Sequence, residues 1–441
     1  MMKKLVYLLF ICVLLGSLTG CSKQGNPDAS GKQEGAGEGN PAKTEVSFVS
    51  EDYSQCNPQI RGTDKGYYYL NRGLRYVDAA TGKDMYLCNK PECRHDGNEF
   101  CVATNKKYRF DRLSIYSGAL LATVIEETDT QYQYKLFSIA LDGSQMNELT
   151  TYYTFEKGDG QPWYLALGPL VVHRNKVILP IALKGQEALE DTYYYGTAMY
   201  DMDTKEVIFL DEEPVSKENP ERTDISAYGD YVYYCQQEGK KTVLHRRHMT
   251  DGTEESYKLL TGFRGNYVVV DEDTVAYAKW EGRALCVNYR ETGMNEEKAN
   301  VYRPAMLQTT DGQGMEWVYE DELSSLRTDG TYLYAFGSHF EVHYKTEEVY
   351  GSYDYLHVFN RDLEEIATLN LADFTKDIRI EGVEEELHLI TKYMSIKEDD
   401  VYWFFMPKDN YSDKYVYKCS LSDLLAGKPQ LEYVYSDTYK K

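Results

Sequence analysis

Residues 87–101 read LCNKPECRHDGNEFC and place Cys88, Cys93, His95 and Cys101 within fifteen positions, while the other cysteines are thinly spread. Three thiolates and an imidazole are an accepted closed tetrahedral donor set for zinc. Such a set fills all four positions with protein and leaves none for catalytic water, so it would be structural. The spacing C-x4-C-x-H-x5-C departs from the common C-x2-C fingers. Two disulfides are the alternative, for example Cys88 with Cys93 or Cys101, and Cys56 with one of the others. Free thiols, suited to an anaerobic host, are the third reading.

The compartment bears on that choice. Lys3 and Lys4 precede an apolar run from Leu5 to Leu18, and polarity rises at once after Cys21. A charged start, a short apolar stretch and small residues before a cut are the pattern of a secretory signal. The run is shorter than the roughly 20 residues that span a bilayer. LTGC at 18–21 resembles the bacterial lipobox, and that resemblance makes Cys21 the lipid-bearing residue. The expected segments are a signal over 1–20, a lipidated Cys21 with a flexible linker over 21–45, and one folded domain over 46–441. Residues 22–45 contain no aromatic and no branched aliphatic side chain, so they cannot offset their own ordering entropy. A disordered tether of that length reaches on the order of 25–30 Å. The expected location is the outer side of the cell membrane, held by lipid alone.

Lys and Arg number 48 against 71 Asp and Glu, a formal charge of −23, which becomes −25 when Lys3 and Lys4 leave with the signal. A surface this acidic repels nucleic-acid phosphates and anionic headgroups. With Cys12 lost and Cys21 acylated, seven cysteines remain, an odd number that leaves one unpaired. Cys235, Cys286 and Cys419 sit singly in strand patterns and read as buried thiols.

The 42 tyrosines fall in runs such as GYYYLNRG, GDYVYYCQQ, GTYLYAFGS and DDVYWFFMP. Aromatic runs bounded by Gly, Asp and Asn are strand signals; LSDLLAGK (421–428) is the one helical candidate. A unit of turn, tyrosine-rich strand, second strand, Asp-containing turn and third strand recurs, with strands starting near 67, 118, 176, 231, 274, 331 and 400. Recurrence every 40–70 residues is what β-propeller blades need. The expected fold is therefore an all-β, seven-bladed propeller after a signal peptide and disordered tether, with six or eight blades as alternatives. EVSFVS (45–50) is expected to complete the blade begun near 400.

LFSIALDGSQMNELT (136–150) resembles the strand–DG–strand unit of TolB-like propellers, and HRRHMTDGTEESYKLL (245–260) matches it more loosely. The chain as a whole, with its lipobox, tether, tyrosine repeats and Cys/His run, is similar to propeller lipoproteins of clostridial-type bacteria. The resemblance implies fold and location and carries no activity.

Other candidates are fainter. His339, Glu341 and His343 alternate in HFEVHY and share one face of a strand. His245 and His248 would face opposite ways. Trp163, Trp280, Trp317 and Trp403 could stack on sugars, but blade packing explains such residues as well. No G-x-S-x-G elbow, H-E-x-x-H or phosphate loop occurs. The expected role is a monomeric binding module for a peptide, glycan or protein at the cell surface. A glycan hydrolase or lyase on the propeller, or an assembly lipoprotein, are the alternatives.

Overall fold

Both faces of nearly every central strand are buried, and this explains why the tyrosine-rich runs are continuous. In a strand, neighbouring side chains point to opposite faces. Leu179 accordingly packs toward the sheet before it and Ile178 toward the sheet after it. Tyr234 and Tyr233 divide in the same way between two neighbours. Strands covered on both sides read as unbroken apolar runs.

The computed structural model describes most of residues 61–437, leaving out short internal stretches of which 300–316 and 379–388 are the longest. The described strands form seven antiparallel sheets over residues 61–86, 108–156, 160–209, 222–256, 263–299, 317–370 and 389–437. This is an all-β architecture and a β-propeller. The innermost strands touch from sheet to sheet: Arg61–Thr63 meets Tyr108–Tyr116, and Arg222–Tyr228 meets Phe263–Asp271, which meets Trp317–Thr328. Several of them carry bulges, between Phe110 and Arg112, Thr223 and Ser226, and Leu323 and Ser325, which bend a strand and re-aim its side chains.

The strands expected from the tyrosine runs exist, but they are the second strand of each sheet rather than the first. Gly66–Leu70, Tyr231–Glu238, Leu333–His343 and Asp400–Pro407 each pair with a strand before and after. Some inner strands escape notice because they are short, such as Arg61–Thr63 and Val172–His173, although Trp317–Thr328 runs twelve residues. In the last sheet two pieces, Leu389–Ile390 and Met394–Lys397, both pair with Asp400–Pro407. That sheet fills its four positions from its own segment; the expected closing strand 45–50 lies outside the described residues, as do the signal, the tether and Cys56. LSDLLAGK does open a helix, Leu421–Leu425, with Ser420 accepting from Asp423 N–H at its start. A second short helix, Leu371–Thr375, was not expected. No described helix is long and apolar enough to cross a membrane.

Apolar clusters join successive sheets, and one of them joins three. Tyr67, Tyr69 and Val77 of the first sheet pack with Tyr334, Phe336 and Leu356 of the sixth and Trp403 and Phe405 of the last. The first and last sheets are thereby brought together. Trp403 is fully buried, stacks on Phe405 at 6.3 Å and donates its indole N–H to Cys419 Sγ at 3.3 Å. Tyrosine hydroxyls add polar latches between sheets. Tyr68 donates to Leu141 O at 3.0 Å, Tyr134 to Ala182 O at 2.9 Å, and Tyr67 to the Tyr402 hydroxyl at 3.1 Å.

Trp403→Ala should cost about 3–5 kcal/mol by leaving a large cavity. Tyr134→Phe should cost about 0.5–1.5 kcal/mol, because the Ala182 carbonyl loses one of its two donors and keeps the Trp163 N–H. Urea unfolding followed by intrinsic fluorescence checks both, and equal effects would contradict the assignment of Trp403 to ring closure.

Candidate metal centre

The run 87–101 leaves the outermost strand of the first sheet, Asp84–Tyr86, and leads to the inner strand of the second, Tyr108–Tyr116. Its start is fixed from outside. Gly143, the glycine of the ALDGS turn, has φ +69°, and a Cβ there would lie 2.7 Å from Leu87 O and 3.0 Å from Cys88 N. Only glycine allows that approach. The far end is fixed by Gly73, whose Cβ would meet Ala103 O at 2.4 Å, while Leu74 N–H donates to the same carbonyl at 2.9 Å.

Between these anchors the backbone folds on itself. Cys93 N–H donates to Lys90 O at 3.1 Å and Cys101 N–H to Asn98 O at 3.2 Å. Asn98 turns the chain, accepting from Phe100 N–H and donating to Asp96. His95 has φ +53°, a conformation that costs a non-glycine residue of order 1–3 kcal/mol unless its surroundings hold it. Here the ring lies 5.0 Å from Tyr86 and presents Nδ1 to Cys101 Sγ at 3.5 Å.

The result is one cluster in which the donor atoms of Cys88, Cys93, His95 and Cys101 all lie within 4.8 Å of one another. Tetrahedral zinc at ordinary bond lengths sets its ligand atoms about 3.5–3.8 Å apart, so the cluster could hold a metal ion. Cys88, Cys93 and Cys101 are free thiols, and none of the expected pairings among them is made. Cys101 is completely buried, in the core between the first two sheets, with Cys88 and Cys93 at its margin.

The electrostatics differ across the cluster. Burial raises the Cys88 thiol above its ordinary value, and neighbouring Cys93 and Cys101 add to that. Burial would raise Cys101 as well, but hydrogen bonds from the Thr104 hydroxyl, His95 and Cys93 outweigh it and lower the thiol to about 6. Thr104 Oγ1 stands 3.2 Å from that sulfur. Sequence reasoning missed Thr104, Tyr86 and Gly143. The last of these sits in the DG turn of the repeat, and its tie to Cys88 spans 55 residues, so spacing gave no sign of it.

The remaining candidates do not join this site. Cys235 and Cys419 are buried thiols, as expected; the Cys286 side chain lies outside the described residues. His245 lies between Glu238 and Glu254, whereas His248 pairs with Asp251, so the two share nothing. His339, Glu341 and His343 fall at alternate positions of the strand Leu333–His343, but their side chains lie outside the described residues, as do those of Trp280 and Trp317. Trp403 serves packing. Trp163 remains 39% exposed.

Cys101 loses its proton more readily than an ordinary thiol, so in metal-free protein its thiolate forms as pH rises through about 6. Its depressed value adds stability that is present above the unfolded-state thiol pKa and fades as pH falls toward 6. Ultraviolet thiolate absorbance should show one early step, and Thr104→Val should move that step to higher pH.

No protein-family model matches the sequence, and the search of curated proteins returns no match. Solved structures do match. A prolyl endopeptidase aligns over 90% of this chain at 11% identity with a TM-score of 0.51. This chain spans about half of that one, 52%. Prolyl oligopeptidase B from Galerina marginata aligns over 88% of this chain and 51% of its own at 10% identity, TM-score 0.47. Oligogalacturonate lyase from Vibrio parahaemolyticus aligns over 80% and 86% at 11% identity, TM-score 0.43. At 11% identity the likeness to the prolyl endopeptidase is one of fold alone, and it agrees with the β-propeller described above.

Proposed function

We propose that this protein is a lipid-anchored, extracytoplasmic binding module, a closed propeller ring in which zinc fixes the loop between the first two sheets. The observation that carries the reading is the Cys88–Cys93–His95–Cys101 cluster. Its four protein donors match the soft, tetrahedral preference of zinc. They leave no position for a reactive water, so the metal would give rigidity and no chemistry. A loop held this way, on a scaffold latched by buried tyrosines, is preorganised for recognition, and preorganisation lowers the entropic cost of binding. The apolar run 5–18 and LTGC support the anchor at Cys21. The −23 charge favours partners other than nucleic acids and anionic lipid.

The second reading in the sequence, a glycan hydrolase or lyase, needs two carboxylates converging about 5–10 Å apart in one site. The described carboxylates that come this close are held by a cation or an imidazole: Lys135 bridges Glu126 and Glu148 at 2.7 and 2.9 Å, and His245 lies between Glu238 and Glu254.

Two measurements test the reading. Purified protein should contain one zinc per chain, and its three clustered thiols should react with a thiol reagent only after chelation. Substoichiometric metal together with immediately reactive thiols would contradict it. In cells, Cys21→Ser should move the protein from the membrane fraction to the soluble exported fraction, and unchanged membrane retention would contradict the anchor.

A further inference from the structure

Among the described residues, the third sheet presents an aromatic face that includes the exposed Trp163. Gly160–Pro162 pairs with Lys176–Gly185, which pairs in turn with Tyr193–Asp201. The registers set Gln161 opposite Lys184 and Lys184 opposite Tyr193. One step along, Trp163 N–H donates to Ala182 O at 2.9 Å, and Ala182 stands opposite Tyr195. Because side chains alternate between faces, Gln161, Trp163, Ala182, Lys184, Tyr193 and Tyr195 share one face. Leu183 and Tyr194, on the other, pack into the apolar cluster shared with the second sheet.

The shared face is built of rings around a small residue. Trp163 and Tyr193 have centroids 5.2 Å apart, and Tyr193 and Tyr195 lie 6.5 Å apart with planes only 19° from parallel. Ala182 leaves the middle low. The Lys184 ammonium lies 5.4 Å from the Trp163 ring and 6.0 Å from Tyr193. Polar groups line the rim: the Tyr195 hydroxyl hydrogen-bonds Glu221, and Asn219 Nδ2 donates to Tyr195 O at 3.0 Å. Ser216 and Tyr195 exchange backbone bonds of 3.0 and 3.1 Å, tying the 210–221 segment beside the rings. Trp163 is 39% exposed, whereas Trp403 is fully buried.

We infer that the Trp163–Tyr193–Tyr195 face is a binding site for an uncharged pyranose oligosaccharide. Trp163, the exposed ring, offers a flat apolar face for the C–H face of one sugar ring, with Tyr193 tilted 59° beside it as a wall. Lys184, Gln161 and Glu221 bring the donors and acceptors that hydroxyl groups require. An extended peptide would bind by adding to a free strand edge, whereas this surface is the face of three paired strands. The acidic charge of the chain disfavours polyanionic glycans. The inference rests on the binding-module reading and gives it a ligand class.

The test is titration of the full-length protein, in a detergent without sugar headgroups, with chitohexaose, maltohexaose and hexagalacturonate. Tryptophan fluorescence and calorimetry provide the readouts. Chitohexaose or maltohexaose should bind at submillimolar concentration. Trp163→Ala and Tyr193→Ala should each weaken binding about tenfold at unchanged unfolding midpoint, while Tyr193→Phe retains it. The inference is overturned if neither neutral hexamer binds, if Trp163→Ala leaves binding unchanged, or if hexagalacturonate alone binds. Conversion of a bound hexamer to shorter products would instead overturn the binding-module reading and leave the site standing.

Discussion

Everything in this molecule depends on covering both faces of every sheet at once. A four-stranded sheet cannot do so alone, but a ring of sheets covers each face with a neighbour. Tyrosine suits that position because its ring fills the apolar gap while its hydroxyl satisfies a polar group on the next sheet. Tyr68, Tyr134 and Tyr67 do this between the first and second, second and third, and last and first sheets. The abundance of tyrosine is thus a record of how the sheets are latched. Closure is the most demanding instance, since it joins residues more than 330 positions apart, as in the Tyr67–Tyr402 hydrogen bond.

The cysteine-rich loop meets a different version of the same problem. It crosses from one sheet to the next with little regular structure of its own, and Cys101 and Ala103 must nevertheless lie in the core. Gly143 and Gly73 let neighbouring turns press against its two ends. The thiol and imidazole cluster then ties the middle. A metal there would join Cys88, at the end of one sheet, to Cys101, at the entry to the next.

The fold was legible where it rests on period and repetition. The second strands were found almost to the residue because they carry the tyrosines and the turns. Some first strands were not, because pieces such as Val172–His173 and Leu389–Ile390 are too short to show a period and are set by pairing with a longer neighbour. At the site, the four donors were legible from residue type and closeness in sequence. Their convergence within 4.8 Å was not, since it depends on His95 adopting φ +53° so that its ring turns to Cys101. The Trp163 face was half visible: the tryptophan stood out, but Lys184 and Tyr193 join it only through strand register.

X-ray absorption at the zinc edge of the purified protein tests the central claim most directly. The expected first shell is three sulfurs at about 2.3 Å and one nitrogen at about 2.0–2.1 Å, changing to two sulfurs in Cys93→Ser. A shell of oxygen and nitrogen alone, or a spectrum indifferent to that substitution, would contradict it.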